Sequence, residues 1–432
     1  MRNKPFLLAL FLLVWLWISA CTLGQIMNAQ ATQTPVIVYV EVTPAPDVPP
    51  VAEAATEAPA PTAASADEPA PAADSPIHPG GMPAAVLVST GDELVSVMDL
   101  NGGVLHTTEL PGFMYAAPSN IHVAGVLSRG VDSLTYYYVA DGSILRQSRA
   151  GTSTDMMPVN NFAALTGIKA QEELVYSTGA LAADGMHIGL VAVQAVEGVS
   201  AHSLNDAVVE DSYVYWPLHI TVREGQSDIL RFTSEPWGVS GATIYPLYFG
   251  LFEMDLDSGS IHWLFNDSYQ PSAISEGGAL AAIVDVSPAS AREMKVYDLQ
   301  TLVPVAEFPL MIAQDKGAGN AVFSPDGSKL AWMESGGEIM AETPDYHGLV
   351  RYALISDPGS VQQLPASDLV QSSLAYPNYV AIPVGWLDNE RILLETYTLQ
   401  EPEHSLRVLN TVDGSVRDFS AGRFLGFVAT EE

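Results

Sequence analysis

The sequence predicts an all-β protein, and three observations lead to this prediction. From Ala84 onward, short apolar runs rich in Val, Ile, Tyr and Leu are separated by Asp-Gly, Gly-Gly and Asn-Gly pairs, which is the pattern of strands joined by tight turns. No long stretch of this region has the periodicity of an amphipathic helix. Two kinds of hairpin-forming segment also recur along the chain, and such recurrence predicts a repeat architecture.

The first recurring segment has an apolar residue, two small residues, Asp-Gly, two variable residues and then a strand. Its clearest copy is "FSPDGSKLAW" (Phe323–Trp332), and "LAADGMHIGL" (Leu181–Leu190) matches it without a gap. Weaker copies are "ISEGGALAA" (Ile274–Ala282) and "WLDNERILL" (Trp386–Leu394). Because the same pattern returns, we interpret it as one structural unit rather than as an isolated site.

The Asp-Gly pair of this segment has the chemistry of a tight turn. Pro325 presets the backbone for the first corner, and Gly327 tolerates the conformation needed at the exit. The side chain of Asp326 can accept hydrogen bonds from nearby backbone N–H groups. We therefore interpret Asp326 as a turn residue rather than as a catalytic or metal-binding one.

The second recurring segment is a hairpin of the form strand–Asp–small–Gly–strand. Six copies are present, some of them about 42 residues apart, and four-stranded units at such an interval are typical of a β-propeller. The copies are Ser96–Leu110, Tyr137–Ser148, Phe252–Leu264, Lys295–Phe308, Arg351–Leu364 and Arg407–Phe419.

The two ends of the domain predict how the ring closes. The first unit supplies only three strands, and the chain finishes with "GRFLGFVATEE", a strand pattern with no hairpin after it. We expect this C-terminal strand to complete the first blade, which gives a six-bladed propeller. A seven-bladed ring is the alternative, because Ser212–Glu235 is either an inserted hairpin or part of a further blade.

The repeat resembles that of TolB-type and WD-type propellers. "FSPDGSKLAW" followed by a strand–Asp–turn–strand hairpin carries the resemblance, which covers Ala84–Glu432 in rhythm and is sharp in one or two repeats. It implies the fold, and a propeller hosts many functions. In TolB-like proteins the propeller is a docking surface in envelope assemblies, so the resemblance makes a similar role an expectation here.

The N-terminus has the features of a secretory signal. Arg2 and Lys4 precede the apolar run Pro5–Ala20, and small residues stand directly before Cys21, the only cysteine. The run "ISAC" resembles the lipobox of bacterial lipoprotein signal peptides, although Ile18 stands where leucine is commonest. The resemblance implies that Cys21 becomes the lipidated N-terminus. An uncleaved anchor helix is the alternative, and both place the rest of the chain outside the cytoplasm at a membrane surface.

These observations divide the chain into three parts. Residues 1–21 are the predicted signal peptide with its lipobox cysteine. Residues 22–83 are rich in Pro, Ala and Glu, and such a composition predicts a disordered tether. Residues 84–432 are the predicted propeller domain, with an irregular insertion at about 197–247.

The charge of the chain argues against nucleic acid as a partner. There are 50 Asp and Glu residues against 17 Lys and Arg, which gives a net charge of −33. Such a surface repels phosphate backbones, and no basic patch offsets it. Only seven of the acidic residues lie in the tether, so the acidity belongs mainly to the predicted propeller.

No catalytic or cofactor motif stands out in the sequence. There is no Gly-x-Ser-x-Gly elbow, no His-Glu-x-x-His and no phosphate-binding glycine loop. The acidic turn Asp255–Gly259 spaces carboxylates as calcium loops do, but it lacks the further acidic ligand of such a loop. The sequence therefore predicts no cofactor, with calcium as an alternative. An enzyme that cleaves glycosides or lactones, using carboxylates or calcium at the channel mouth, remains the alternative function.

Aromatic residues suggest where recognition could occur. Trp332 and Trp386 lie in the repeat, so we expect them to pack between blades. A second aromatic group lies in or beside the irregular insertion, and it is a candidate recognition loop or a packed strand pair. Its members are Tyr213, Tyr215, Trp216, Trp237, Tyr245 and Tyr248. The sequence thus favours a membrane-anchored extracytoplasmic lipoprotein whose acidic propeller is a non-enzymatic scaffold for an envelope protein or a glycan.

Overall fold

A computed structural model of the chain describes the residues that form the strands and their tighter connections. All of them belong to one compact unit, Pro71–Glu432. The described residues are 82–115, 120–124, 127–148, 154–158, 164–168, 173–181, 187–195, 198–203, 215–223, 226–236, 250–266, 269–275, 278–285, 293–310, 317–336, 347–364, 380–397 and 403–429.

The described chain forms seven antiparallel sheets of four strands each. We number them blade 1 to blade 7 and give the strands of each in spatial order. Blade 1 contains β28 (Arg423–Ala429), β1 (Pro83–Gly91), β2 (Leu94–Met98) and β3 (Val104–Glu109). Blade 2 contains β4 (Ile121–Ala124), β5 (Thr135–Ala140), β6 (Ser143–Ser148) and β7 (Thr154–Pro158). Blade 3 contains β8 (Ala164–Ile168), β9 (Glu173–Leu181), β10 (His187–Ala195) and β11 (Gly198–Ser203).

The remaining four blades follow the chain in the same order. Blade 4 contains β12 (Tyr215–Arg223), β13 (Gln226–Pro236), β14 (Leu251–Asp255) and β15 (Ile261–Phe265). Blade 5 contains β16 (Tyr269–Ile274), β17 (Leu280–Asp285), β18 (Glu293–Asp298) and β19 (Val303–Pro309). Blade 6 contains β20 (Gly317–Phe323), β21 (Lys329–Gly336), β22 (His347–Leu354) and β23 (Asp357–Gln363). Blade 7 contains β24 (Val380–Trp386), β25 (Arg391–Tyr397), β26 (Ser405–Asn410) and β27 (Val416–Ala421). Two short 3-10 turns, Leu127–Arg129 and Val131–Ser133, lie between β4 and β5.

The blades form a ring whose inner wall is made by the first strand of each. β28 contacts β4, β4 contacts β8, and this succession continues through β12, β16 and β20 to β24. β28 also contacts β26 of blade 7, which brings the last blade back to the first. The prediction of an all-β propeller is confirmed. Its predicted closure is confirmed as well, because the C-terminal strand β28 pairs antiparallel with β1.

The sheet count agrees with the alternative that the sequence left open, a ring of seven. β12 and β13 pair with each other, and β13 pairs with β14, so the segment Ser212–Glu235 supplies the first hairpin of blade 4 rather than an inserted one. β8 to β11 form a complete sheet without it. β11, β12 and β13 all fall within the segment 197–247 that the sequence marks as irregular.

One recurring segment occupies two different places in its blades. Phe323–Trp332 joins the first and second strands of blade 6, whereas Leu181–Leu190 joins the second and third strands of blade 3. An Asp-Gly pair between two apolar runs specifies a hairpin, but it does not specify which pair of strands in the sheet that hairpin joins. The gapless match between the two segments is therefore local, and it does not mark equivalent blade positions.

Apolar clusters between neighbouring blades form the core. Trp332 is fully buried and packs with Phe308 of blade 5, with ring centroids 5.1 Å apart. Trp386 is also buried, and its Nε1–H donates to the carbonyl of Val322 in blade 6 at 3.0 Å. The predicted packing role of both tryptophans is confirmed.

The ring has two faces that differ in the connections they carry. At the upper face each first strand begins, each fourth strand ends, and the second and third strands are joined. At the turn face lie the hairpin turns between first and second strands and between third and fourth strands.

Basic side chains connect adjacent blades at the turn face. Arg231 of β13 donates to the carbonyls of Gly278 and Leu299 in blade 5. Lys329 of β21 donates to the Asn389 carbonyl of blade 7 at 2.5 Å. In the same manner, Arg391 Nη1 of β25 donates to a blade 1 turn carbonyl, 3.1 Å away. Several of the few bases in this acidic chain are thus used to hold the ring together.

Candidate functional site

The residues that the sequence singled out for recognition and anchoring are mostly outside the described residues. Tyr215 and Trp216 begin β12. Those outside are Cys21, Tyr213, Trp237, Tyr245 and Tyr248. The proposed recognition loop and the lipidation residue both stay predictions. Among the described residues, no helix is long and apolar enough to cross a membrane.

Asp326 has the role that its sequence context predicts. Its Oδ1 accepts hydrogen bonds from the Ser324 hydroxyl at 2.7 Å and from the Ser328 N–H and hydroxyl at 2.9 and 2.7 Å. Burial favours the neutral carboxyl, but these hydrogen bonds and the nearby Lys329 lower the pKa of Asp326 overall. The carboxylate is engaged within its own turn, which confirms that Asp326 stabilises a corner of the scaffold.

The acidic turn considered for calcium has the same internal use. Asp255 Oδ1 accepts hydrogen bonds from the backbone N–H and hydroxyl of Ser258, at 2.7 and 2.9 Å. These bonds lower the pKa of Asp255. Within the described ranges, no group of three or more His, Cys, Asp or Glu side chains is placed to hold a metal ion.

The inner wall of the ring is depleted of negative charge. None of the seven first strands, β28, β4, β8, β12, β16, β20 and β24, contains an Asp or a Glu. Their only charged residues are two arginines, Arg223 and Arg423. Among the described residues, the acids therefore lie on the second, third and fourth strands and in the connections. The described channel wall therefore offers no carboxylate pair for general acid–base chemistry.

One group of polar and aromatic side chains comes together at the upper face, and we call it the seam cluster. It lies where blade 7 meets the closing strand of blade 1. Glu395 and Tyr397 are at the end of β25, and His404 stands just before β26. Arg423 begins β28. The fifth member, Tyr115, comes from the connection between β3 and β4.

A buried carboxylate organises the cluster. Glu395 is 3% exposed. Its Oε1 lies 2.5 Å from Nδ1 of His404, and its Oε2 accepts the backbone N–H of Phe424 at 2.9 Å. The imidazole of His404 in turn stacks on the ring of Tyr397, with centroids 4.8 Å apart. Glu395 thus ties blade 7 to the first residues of the closing strand.

A glycine fixes where Arg423 can stand. Gly422 adopts a φ of +112°, and its N–H donates to the carbonyl of His404 at 2.8 Å. A Cβ at this position would lie 2.3 Å from the carbonyl oxygen of Ser89. Only glycine fits this sharp turn, and the turn delivers Arg423 to the upper face.

Arg423 is held by an aromatic ring rather than by a carboxylate. Its guanidinium lies 4.5 Å from the ring centroid of Tyr115, a cation–π contact. Among the described residues, other arginines donate to protein oxygens: Arg231, Arg351, Arg391, Arg407 and Arg417. The half-buried guanidinium of Arg423 has no protein acceptor within the described part of the chain.

Two phenols beside Arg423 keep their protons. Burial, assisted by the negative charge of Glu395, raises the pKa of Tyr115 and of Tyr397, and Arg423 opposes the effect only partly. Both hydroxyl groups are therefore neutral donors at physiological pH. In the described structure neither hydroxyl has a protein partner. The seam cluster thus gathers an arginine and two phenols whose donor groups have no acceptor among the described residues.

The sequence did not reveal this cluster because its members are far apart in the chain. Tyr115 and Arg423 stand at opposite ends of the domain, and only ring closure brings them together. The one local signal is the Gly-Arg pair that opens the C-terminal strand, which no hairpin follows in the sequence. A closing strand that begins with a cation in an acidic protein could have been marked as a candidate.

The titratable residue His122 lies on the inner strand β4, and its burial predicts that the protein is less stable in acid. Burial lowers the pKa of His122 from 6.5 to about 4. The unfolded chain binds this proton below about pH 6.5, and the folded protein binds it only below about pH 4. The contribution of His122 to the free energy of unfolding should therefore be fully present above pH 6.5. It should fall by up to about 3 kcal/mol between pH 6.5 and 4.

This prediction is checked by urea unfolding of the wild type and of His122→Gln across that pH range. The variant should lose much of the dependence. The turn aspartates with a lowered pKa, such as Asp326, lose most of their contribution to stability below their unfolded pKa of 3.8, so they add little to the change between pH 6.5 and 4. Parallel pH profiles for the two proteins would contradict the assignment to His122.

Comparisons with known proteins agree with the fold class only. No protein-family model matches the sequence, and no curated protein matches it. Similar solved structures include TolB from Acinetobacter baumannii, with 13% identity, coverage of 79% of this chain and 80% of that chain, and a TM-score of 0.35. The β-propeller domain of the Trilobed protease from Pyrococcus furiosus has 12% identity, coverage of 60% and 72%, and a TM-score of 0.35. The WD40 domain of SCAP from fission yeast has 10% identity, coverage of 79% and 84%, and a TM-score of 0.35.

The class of the protein follows from its own strand pairing rather than from these similarities. The chain is a β-propeller protein closed by its C-terminal strand, as its own sheet topology shows. Propellers of several functions are among the similar structures, and at these identities and TM-scores the likeness favours none of them.

Proposed function

We propose that this protein is an extracytoplasmic lipoprotein, anchored through Cys21, whose propeller is a non-enzymatic binding module. The signal features of residues 1–21 support the anchoring, and the Pro/Ala/Glu-rich segment 22–83 would serve as the tether. One observation supports binding over catalysis: the seven inner strands contain no Asp or Glu. Asp326 and Asp255 accept hydrogen bonds within their own turns.

The charge distribution supports an envelope protein or a glycan as the partner. The acidic outer surface repels polyanions such as nucleic acid. The seam cluster is the place where a cation and aromatic groups meet at the upper face, and such a combination suits recognition of a polar or anionic ligand. The aromatic segment around Trp216 remains a second candidate surface.

The anchoring is tested by replacing the cysteine. Cys21→Ser should abolish incorporation of labelled fatty acid, because only a thiol accepts the lipid. The precursor should remain uncleaved, and a smaller share of the protein should be found with the membranes. Thr22→Ala is the matched control and should behave as the wild type. An unchanged mature size and an unchanged membrane fraction in Cys21→Ser would contradict the lipoprotein proposal and favour the anchor helix.

The binding role is tested with the full-length protein, by cross-linking in cells and by activity assays on the protein purified in detergent. We expect covalent cross-linking in intact cells to capture a specific envelope component, and we expect no turnover of a panel of glycosides and lactones with or without calcium. Turnover above that of a mock purification, or loss of thermal stability on addition of a chelator, would contradict the non-enzymatic proposal.

A further inference from the structure

We propose that the seam cluster binds a carboxylate flanked by hydroxyl groups, the chemistry of a sugar acid or another hydroxy acid. Arg423 would hold the carboxylate, and the phenol groups of Tyr115 and Tyr397 would bond to the neighbouring oxygens. The inference deepens the proposed binding function and rests on it. It starts from three partly buried donors that converge at one place without a protein acceptor in the described structure.

The guanidinium sets the charge and the shape of the ligand. Its planar fork matches a carboxylate in a two-point interaction, and the cation–π contact with Tyr115 restrains the guanidinium before any ligand arrives. One guanidinium compensates one negative charge. A phosphate dianion would bring a second charge close to the buried Glu395 in a protein of net charge −33, so a monoanion is favoured.

The two phenols determine what surrounds the carboxylate. A neutral phenol donates one hydrogen bond and accepts others, which matches an alcohol better than it matches a second anion. The imidazole of His404 is committed to Glu395 and to the ring of Tyr397. It orients the Tyr397 side chain, so we regard His404 and Glu395 as positioning residues.

The position of the cluster supports access for a small ligand. Arg423 opens an inner strand and therefore stands at the upper end of the channel wall. The wall strands carry no acid that would repel an anion. The acidic outer surface therefore repels an approaching anion, whereas the channel mouth beside Arg423 is the favourable place for it to bind.

The experiment measures binding of named probes to the intact protein by titration calorimetry and by the shift in melting temperature. D-glucuronate and D-gluconate should bind saturably and raise the melting temperature. D-glucose and inorganic phosphate should bind at least about tenfold more weakly, since each lacks the charge-assisted contact or carries excess charge. Methyl glucuronide, in which the anomeric oxygen is blocked, distinguishes a free acid from a residue linked in a glycan.

Variants connect the binding to the named side chains. Arg423→Gln should weaken glucuronate binding by at least about tenfold, and Tyr397→Phe, which keeps the ring, by about three- to tenfold. Arg146→Gln is the matched control, because it removes the same charge from an exposed position on β6 and should bind as the wild type. If Arg423→Gln does not fold, Tyr397→Phe and Tyr115→Phe decide the question, since each removes only a hydroxyl group.

Three results would overturn the inference: no saturable binding of either sugar acid, equal binding of glucose and glucuronate, or unchanged affinity in both Arg423→Gln and Tyr397→Phe. None of these would affect the fractionation of Cys21→Ser or the capture of an envelope component. Failure of the ligand assignment and failure of the proposed lipoprotein scaffold can therefore be told apart.

Discussion

Replacing Arg351 with methionine is expected to lower the free energy of unfolding by about 3–5 kcal/mol. Arg351 Nη1 contacts Glu334 Oε1 at 2.5 Å and also donates to the Pro309 carbonyl of blade 5 at 2.9 Å. Glu334 is 0% exposed and Arg351 is 6% exposed. Removing the cation takes the Arg351 guanidinium away from a fully buried carboxylate, which is more costly than the loss of the contact itself.

The reason for the large effect is tested by removing both charges together. The double variant Arg351→Met, Glu334→Leu should be less destabilised than the single one, because no buried charge remains. It should still lose stability, since the Trp332 Nε1–H donates to Glu334 at 3.0 Å and would lose its acceptor. Urea unfolding of the wild type, the single variants and the double variant gives the interaction energy between Arg351 and Glu334.

An exposed ion pair supplies the control for this experiment. Arg407 Nε lies 3.2 Å from Asp418, whose side chain is 94% exposed. Arg407→Met should therefore cost less than about 1 kcal/mol. Equal losses in Arg351→Met and Arg407→Met, or a double variant as unstable as the sum of its single variants, would contradict the account based on burial.

The repeat pattern carries most of the fold, for a physical reason. Turns such as "SPDG" and the strand pairs beside them are specified by neighbouring residues, so Asp326 and the packing of Trp332 follow from a few letters of sequence. Closure could be predicted from the surplus C-terminal strand. The number of blades depends on whether β12 and β13 join β14 or form an insertion, and this choice is made by contacts between distant segments.

The seam cluster could not be predicted from the same kind of pattern. Glu395 and His404 lie on either side of one connection, and their partners Arg423 and Tyr115 belong to the two ends of the domain. No spacing in the sequence encodes the meeting of these residues, because ring closure alone creates it. The aromatic group around Trp216, by contrast, stands out only by the local density of its aromatic residues, a signal that strand packing also produces.

Shortening the chain after Gly422 is expected to prevent the ring from folding. The truncated chain lacks β28, so β1 loses one of its two partner strands and becomes an exposed sheet edge. Two core clusters lose members as well: Leu425 and Val428 pack between blades 1 and 2, and Phe424 packs between blades 7 and 1. We expect aggregation, or a species without a cooperative thermal transition, as measured by circular dichroism and size-exclusion chromatography.

Two further proteins separate closure from simple loss of residues. Leu425→Ala, at a position 2% exposed, should fold and lose about 2–5 kcal/mol, whereas a stop after Ala429 keeps β28 and should be as stable as the wild type. A synthetic peptide spanning 421–432 should restore the cooperative transition when it is added to the truncated chain. Since the C-terminal strand carries Arg423, restored folding should also restore glucuronate binding, and a peptide with Gln in place of Arg423 should restore the fold alone. A truncated chain that melts cooperatively near the wild-type temperature would show that the ring does not depend on this strand.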